Sequence, residues 1–182
     1  DPARRHDRVA RAMRTDAGDM VIAADRRNVS PVLPPEIRIP VPTNEDMDKL
    51  YEYHGAVVGI AGDYGAALAV LDKTSTDKNV EDPAEHLAIH LRKNNEKFCG
   101  SDIEKWPDCQ LIYCDGKRLL RMRSRDGFQP NKLINWVECI GQTWAAEVVF
   151  LALQPPRETV ARAEAACAFL IRSAARSNQS IG

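Results

Sequence analysis

Cys99 and Cys109 enclose nine residues in the stretch Phe98-Cys99-Gly100-Ser101-Asp102-Ile103-Glu104-Lys105-Trp106-Pro107-Asp108-Cys109. This C-x9-C spacing constrains the fold more than any other feature of the chain. Over ten positions a continuous helix turns by about 1000° and rises about 15 Å, leaving both sulfurs within roughly 80° of one face. Two thiols about three turns apart cannot bond to each other, yet each can reach a cysteine on a neighbouring segment. Nor can they share one zinc ion, whose sulfur ligands lie about 2.3 Å from the metal. The spacing therefore predicts a disulfide staple rather than a zinc knuckle. Pro107 would kink or end the helix just before Cys109, placing that thiol in a turn and still available for bridging.

A chain of 182 residues makes one domain or two small ones and is long enough to bury a core. The net charge of −1 provides no global basic field for nucleic acid. Aromatic residues are only 6% and Ala is abundant, which leans towards helix. Five cysteines leave at least one unpaired or intermolecular. No apolar run approaches the roughly 20 residues that span a bilayer. The longest, over 144–153, is short and carries Glu147. A soluble or membrane-peripheral protein is expected. Residues 1–14 are rich in Arg and Ala, but Asp1, Asp7, Asp16 and Asp19 argue against a transit peptide and for a polar arm or surface helix.

Three regions follow. Residues 1–43 form an N-terminal arm ending in a connector with Pro31, Pro34, Pro35, Pro40 and Pro42, too proline-rich for helix. Its Val32, Leu33, Ile37, Ile39 and Val41 suggest either a plain linker or a segment lying in a partner's groove. In the second region, 44–129, a helix is predicted from about Asn44 to Asp72, with Gly55, Gly59, Gly62 and Gly65 marking a close backbone approach. A phosphate loop is disfavoured there because no G-x-x-x-x-G-K-[ST] is present. Asp82-Pro83-Ala84-Glu85 signals a helix start, with the helix running to about Phe98. His86 and His90 share one face of it and could ligate a metal. Lacking a third ligand at matching spacing and an H-E-x-x-H pattern, they read as solvated or capping histidines, so no metal, cofactor or catalytic residue is assigned. Residues 100–116 read as irregular and 119–123 as a short helix. Lys117, Arg118, Arg121, Arg123 and Arg125 make a basic patch without interleaved aromatics, a solvated or partner-facing surface rather than a nucleic-acid site. The third region, 130–182, reads as a helical hairpin. Leu133, Trp136, Val137, Ile140, Trp144, Val148 and Leu151 recur at helical steps, Pro155 and Pro156 turn the chain, and a second helix follows from Glu158 to about Arg176. Cys139 and Cys167 fall about one turn out of register across that hairpin.

Several of these pieces resemble the CHCH proteins of the mitochondrial intermembrane space, most closely the PGIV-type accessory subunits of respiratory complex I. The similar segments are Gly55-Ala56-Val57-Val58 with Ala61-Gly62-Asp63-Tyr64-Gly65-Ala66, then Lys93–Cys99, Glu104–Cys109, Asp115–Leu119 and Leu133–Ile140. Together they span roughly residues 39–172. The resemblance implies a mainly α fold of disulfide-stapled helical hairpins with an extended N-terminal arm. It implies Cys99 and Cys109 in disulfides, with Cys114 and Cys139 as preferred partners and Cys167 a further candidate. It also implies a non-catalytic subunit of a large membrane complex, peripheral to the inner membrane on the intermembrane-space side, with no cofactor and no nucleic acid. Other readings stay open: another intermembrane-space assembly factor, a soluble helical adaptor with reduced cysteines, or a thiol redox protein using Cys114 beside Lys117.

Overall fold

The computed structural model describes residues 9–24, 28–30, 41–44, 50–62, 64–133, 137–141 and 158–179. Its frame is two antiparallel sheets stacked face to face, each with helix on its outer side. The first sheet takes the order β10-β1-β2, from β1 (Val9–Arg14), β2 (Met20–Ala24) and β10 (Val137–Gly141). The second runs β5-β6-β7-β8-β9, from β5 (Leu50–Tyr53), β6 (Ala56–Gly62), β7 (Cys109–Cys114), β8 (Leu119–Arg123) and β9 (Asn131–Lys132). A separate ribbon pairs β3 (Asn28–Ser30) with β4 (Val41–Asn44). Helices α1 (Tyr64–Thr74) and α2 (Pro83–Cys99) cover the second sheet, and α3 (Val160–Gln179) covers the first.

Strand alternation builds the layers, because successive side chains on a strand point to opposite faces. On β6, Ala56, Val58 and Ile60 face the α1–α2 layer while Ala61 faces the other sheet. On β7, Cys109, Leu111 and Tyr113 face the helices; Ile112 and Cys114 face the sheet–sheet interior. On β1, Ala12 packs between the sheets and Met13 packs beneath α3 with Ala163, Ala166, Cys167 and Leu170. Both faces of each central strand are therefore covered, giving three apolar interlayers and an αββα sandwich.

This architecture corrects the mainly helical expectation. A strand buried on both sides is apolar nearly throughout, and a short continuous apolar run cannot be told from buried helix by periodicity. The segment read as one helix over 44–72 instead holds β5, a two-residue turn, β6 and α1. In that turn His54 and Gly55 both have positive φ, 48° and 78°, as a type I′ hairpin demands. Residues 119–123 are strand, not helix. β1 is the middle strand of its sheet and not part of an arm, and within the first helix expected of the C-terminal hairpin, residues 131–132 and 137–141 are strand. The Pro-rich segment 31–40 and residues 142–157 lie outside the described residues. Where the capping code is local it reads correctly: α2 begins at Pro83 behind the Asp82 cap, and α3 starts two residues from the expected Glu158.

The disulfide staple fails for a geometric reason. Gly100 (φ 81°) ends α2, so Cys99 and Cys109 do not share a helix. Cys109 points to the α1–α2 layer, Cys114 to the sheet–sheet interior and Cys167 to the α3 layer. Packed sheets stand about 10 Å apart, beyond the reach of a disulfide. Cys99, Cys109, Cys114 and Cys167 all carry thiols. Cys139 pairs through its backbone with Arg11, and its side chain lies outside the described residues.

Candidate functional site

Polar chemistry gathers where the β5–β6 turn meets the end of α1 and the start of α2. Tyr53 ends β5 and is fully buried, its ring among the core side chains and its hydroxyl at the helix ends. Thr74 ends α1, Asp77 sits in the loop after it, and His86 and His90 stand one turn apart on α2. The Tyr53 hydroxyl lies 3.0 Å from Thr74 Oγ1 and 2.7 Å from His86 Nδ1. His86 Nε2 lies 3.2 Å from Asp77 Oδ2. The His86 and His90 rings are 4.6 Å apart. His54 Nε2 donates to the Thr74 carbonyl at 3.0 Å, tying the hairpin turn to the helix end. One ligand atom from each of Asp77, His86 and His90 lies within 4.8 Å of the others.

The electrostatics match the partial burial. Burial pushes the Tyr53 phenol above its ordinary value, so it is a neutral hydrogen-bonding group at physiological pH. Burial lowers the His90 pKa, and neighbouring His86 pushes it the same way.

The sequence reading placed His86 and His90 on one face and stopped for want of a third ligand. Asp77 supplies it, from a loop that helical spacing cannot reach. Tyr53 was missed as well; the His54-Gly55 turn, flanked by Leu-Tyr-Glu-Tyr and Ala-Val-Val, was the signal that places it. The thiol reading finds no activated cysteine at Cys114: burial raises its pKa, and Sγ lies 3.4 Å from Met20 Sδ. The basic patch is largely neutralised. Arg118 binds Asp82 and Asp115, Arg123 binds Asp126, and Arg125 lies 3.9 Å from Asp108.

No protein-family model and no curated protein matches the sequence. Solved structures do. The chain is similar to eukaryotic HslV from Trypanosoma brucei (TM-score 0.60, 21% identity), over 91% of this chain and 89% of that one. It is also similar to Anbu (ancestral beta-subunit) from Yersinia bercovieri, with TM-score 0.68 and 18% identity over 94% of this chain and 77% of that one. A Gly-1 mutant of Anbu from Hyphomicrobium sp. strain MC1 gives 0.65 and 18%, over 96% and 78%. These likenesses overturn the CHCH resemblance and, with it, the complex I subunit and the non-catalytic role that rested on it, because the fold is that of HslV and Anbu and not one of helical hairpins. At such identities the likeness establishes the fold alone: this chain has the αββα fold of HslV and Anbu.

Proposed function

We propose that the chain is a subunit of an oligomeric, proteasome-like hydrolase and that peptide bonds are its substrate class. One observation carries the reading: the four-layer sandwich aligns with HslV and Anbu over at least nine-tenths of this chain. The expectation of a multi-subunit assembly survives in this form, with sister subunits of the same fold as the partners in place of a membrane complex.

Native mass spectrometry and fluorogenic-peptide assays on the purified chain test this together. A particle of many protomers that cleaves peptides is expected. A monomer without peptide hydrolysis refutes the proposal.

A further inference from the structure

We propose that Asp77, His86 and His90 bind a zinc-type divalent cation at the junction of α1, α2 and the β5–β6 turn. The argument begins with an inventory of protons. Thr74 Oγ1 donates to the Val70 carbonyl at 2.8 Å, which uses its only hydrogen. The Tyr53 hydroxyl, 3.0 Å away, must then be the donor to Thr74 Oγ1. With its hydrogen committed there, the Tyr53 oxygen can only accept at 2.7 Å, so His86 Nδ1 carries a proton and donates it. In neutral imidazole the other nitrogen is then a bare lone pair. That nitrogen, Nε2, faces Asp77 Oδ2 at 3.2 Å. Two acceptors at this distance repel unless something positive lies between them, either a second proton on His86 or a metal ion.

The geometry fits the metal. With bonds of about 2.0–2.1 Å and tetrahedral angles, two nitrogen or oxygen ligands of zinc stand about 3.3–3.4 Å apart. The 3.2 Å separation is close to one edge of that polyhedron. His90, one helical turn beyond His86, offers a third ligand without any change of backbone. The three ligand atoms already lie within 4.8 Å of one another, and Asp77 is exposed on the loop after α1. Two imidazoles and one carboxylate leave the fourth position to water, the open arrangement of hydrolytic rather than purely structural zinc. The Tyr53 contact then has a specific role. It fixes the tautomer and ring orientation of a metal-binding histidine through its other nitrogen, as the outer partners of metal ligands do. A buried tyrosine held by Thr74 is a rigid support for that purpose.

The inference is independent of the hydrolase reading, because binding is measured without an activity. The full chain, stripped with a chelator and dialysed, is titrated with Co2+ as a spectroscopic probe and then with Zn2+ as competitor. The expected result is one equivalent of Co2+ with visible tetrahedral bands, no thiolate-to-metal charge-transfer band, and displacement by Zn2+. H90A and D77N should each weaken binding at least tenfold. H86A also breaks the contact with Tyr53 and can disturb folding, so H90A and D77N decide the matter, with circular dichroism confirming their fold. Y53F should retain the fold and weaken binding by about 10-fold or more, the loss of an outer partner. No stoichiometric Co2+ binding overturns the proposal and assigns the gap to a second proton on His86. Thiolate charge-transfer bands, or losses under tenfold in H90A and D77N, overturn it equally.

Discussion

At the scale of single residues, two glycines with similar backbone angles do different work. Gly62 has φ 87°, and a Cβ built there would collide with the Asp108 backbone carbonyl across the β6–β7 pair. Gly55 has φ 78° in the β5–β6 turn, with nothing within 4 Å of such a Cβ. Gly55→Ala should therefore lose only the conformational term, about 1–2 kcal/mol. Gly62→Ala adds a backbone clash that only movement of β7 can relieve, and should lose about 3 kcal/mol or more. Urea unfolding of the two variants checks this, and equal losses would refute the role given to Asp108. These glycines were visible in the sequence, yet their spacing suited a helix face as well as a strand. The distinguishing information was His54 beside Gly55, since a two-residue turn with both φ positive joins strands and not helical turns.

At the scale of elements, α2 shows what sequence can specify unaided. Asp82 accepts from the Ala84 and Glu85 backbone N–H groups at 3.0 and 3.3 Å, and Pro83 follows at the first helical position. All of this lies within one turn of chain, so it was legible. What pairs with the cap was not: Arg118, from the β7–β8 turn, donates to both Asp82 oxygens and to Asp115. Hydrogen bonding from Arg118 holds the Asp82 pKa below its ordinary 3.8, helped by the cap N–H groups against burial. For Asp115 burial opposes the shift but is outweighed by the backbone and side chain of Arg118. A carboxylate pKa depressed by folding adds stability that is complete above the unfolded value and is lost as pH falls through the folded one. Thermal stability should thus fall as pH drops below about 4, with a shallower fall in Asp82→Asn, which keeps a cap but loses the charge. At neutral pH Asp82→Ala should cost about 1–2 kcal/mol and Asp82→Asn under about 1 kcal/mol, because the ion pair is solvent-exposed. Identical acid profiles in wild type and Asp82→Asn would count against the Arg118 pairing. The candidate site divides in the same way. His86 and His90 were placed on one face by local periodicity, whereas Asp77 comes from a loop and Tyr53 is 33 residues from His86 in sequence. Only tertiary folding brings them together.

At the scale of the whole molecule, covering two sheets on both faces explains why the architecture hid in the sequence and why the cysteines stay apart. The run Cys-Gln-Leu-Ile-Tyr-Cys of β7 lacks the apolar–polar alternation that marks a strand with one wet face, because neither of its faces meets water. Its two cysteines are five positions apart, an odd separation that sends Cys109 towards the helices and Cys114 between the sheets. Cys167 belongs to the layer beneath α3, separated from Cys114 by one sheet and from Cys109 by both. Each interlayer uses a cysteine as a small apolar filler, the role buried thiols commonly take. Reductant should therefore leave the melting temperature unchanged within about 1 °C, whereas a lost native disulfide would cost about 2–5 kcal/mol. Alkylation without reductant gives the sharper test, read by peptide mass spectrometry. In the native protein Cys99, half-buried at the end of α2, should label first, while Cys109, Cys114 and Cys167 stay protected. After denaturation all four should label completely. If two of Cys109, Cys114 and Cys167 stay blocked together until reductant is added, a bridge has crossed a layer, and the packing order deduced from strand alternation is wrong at those residues.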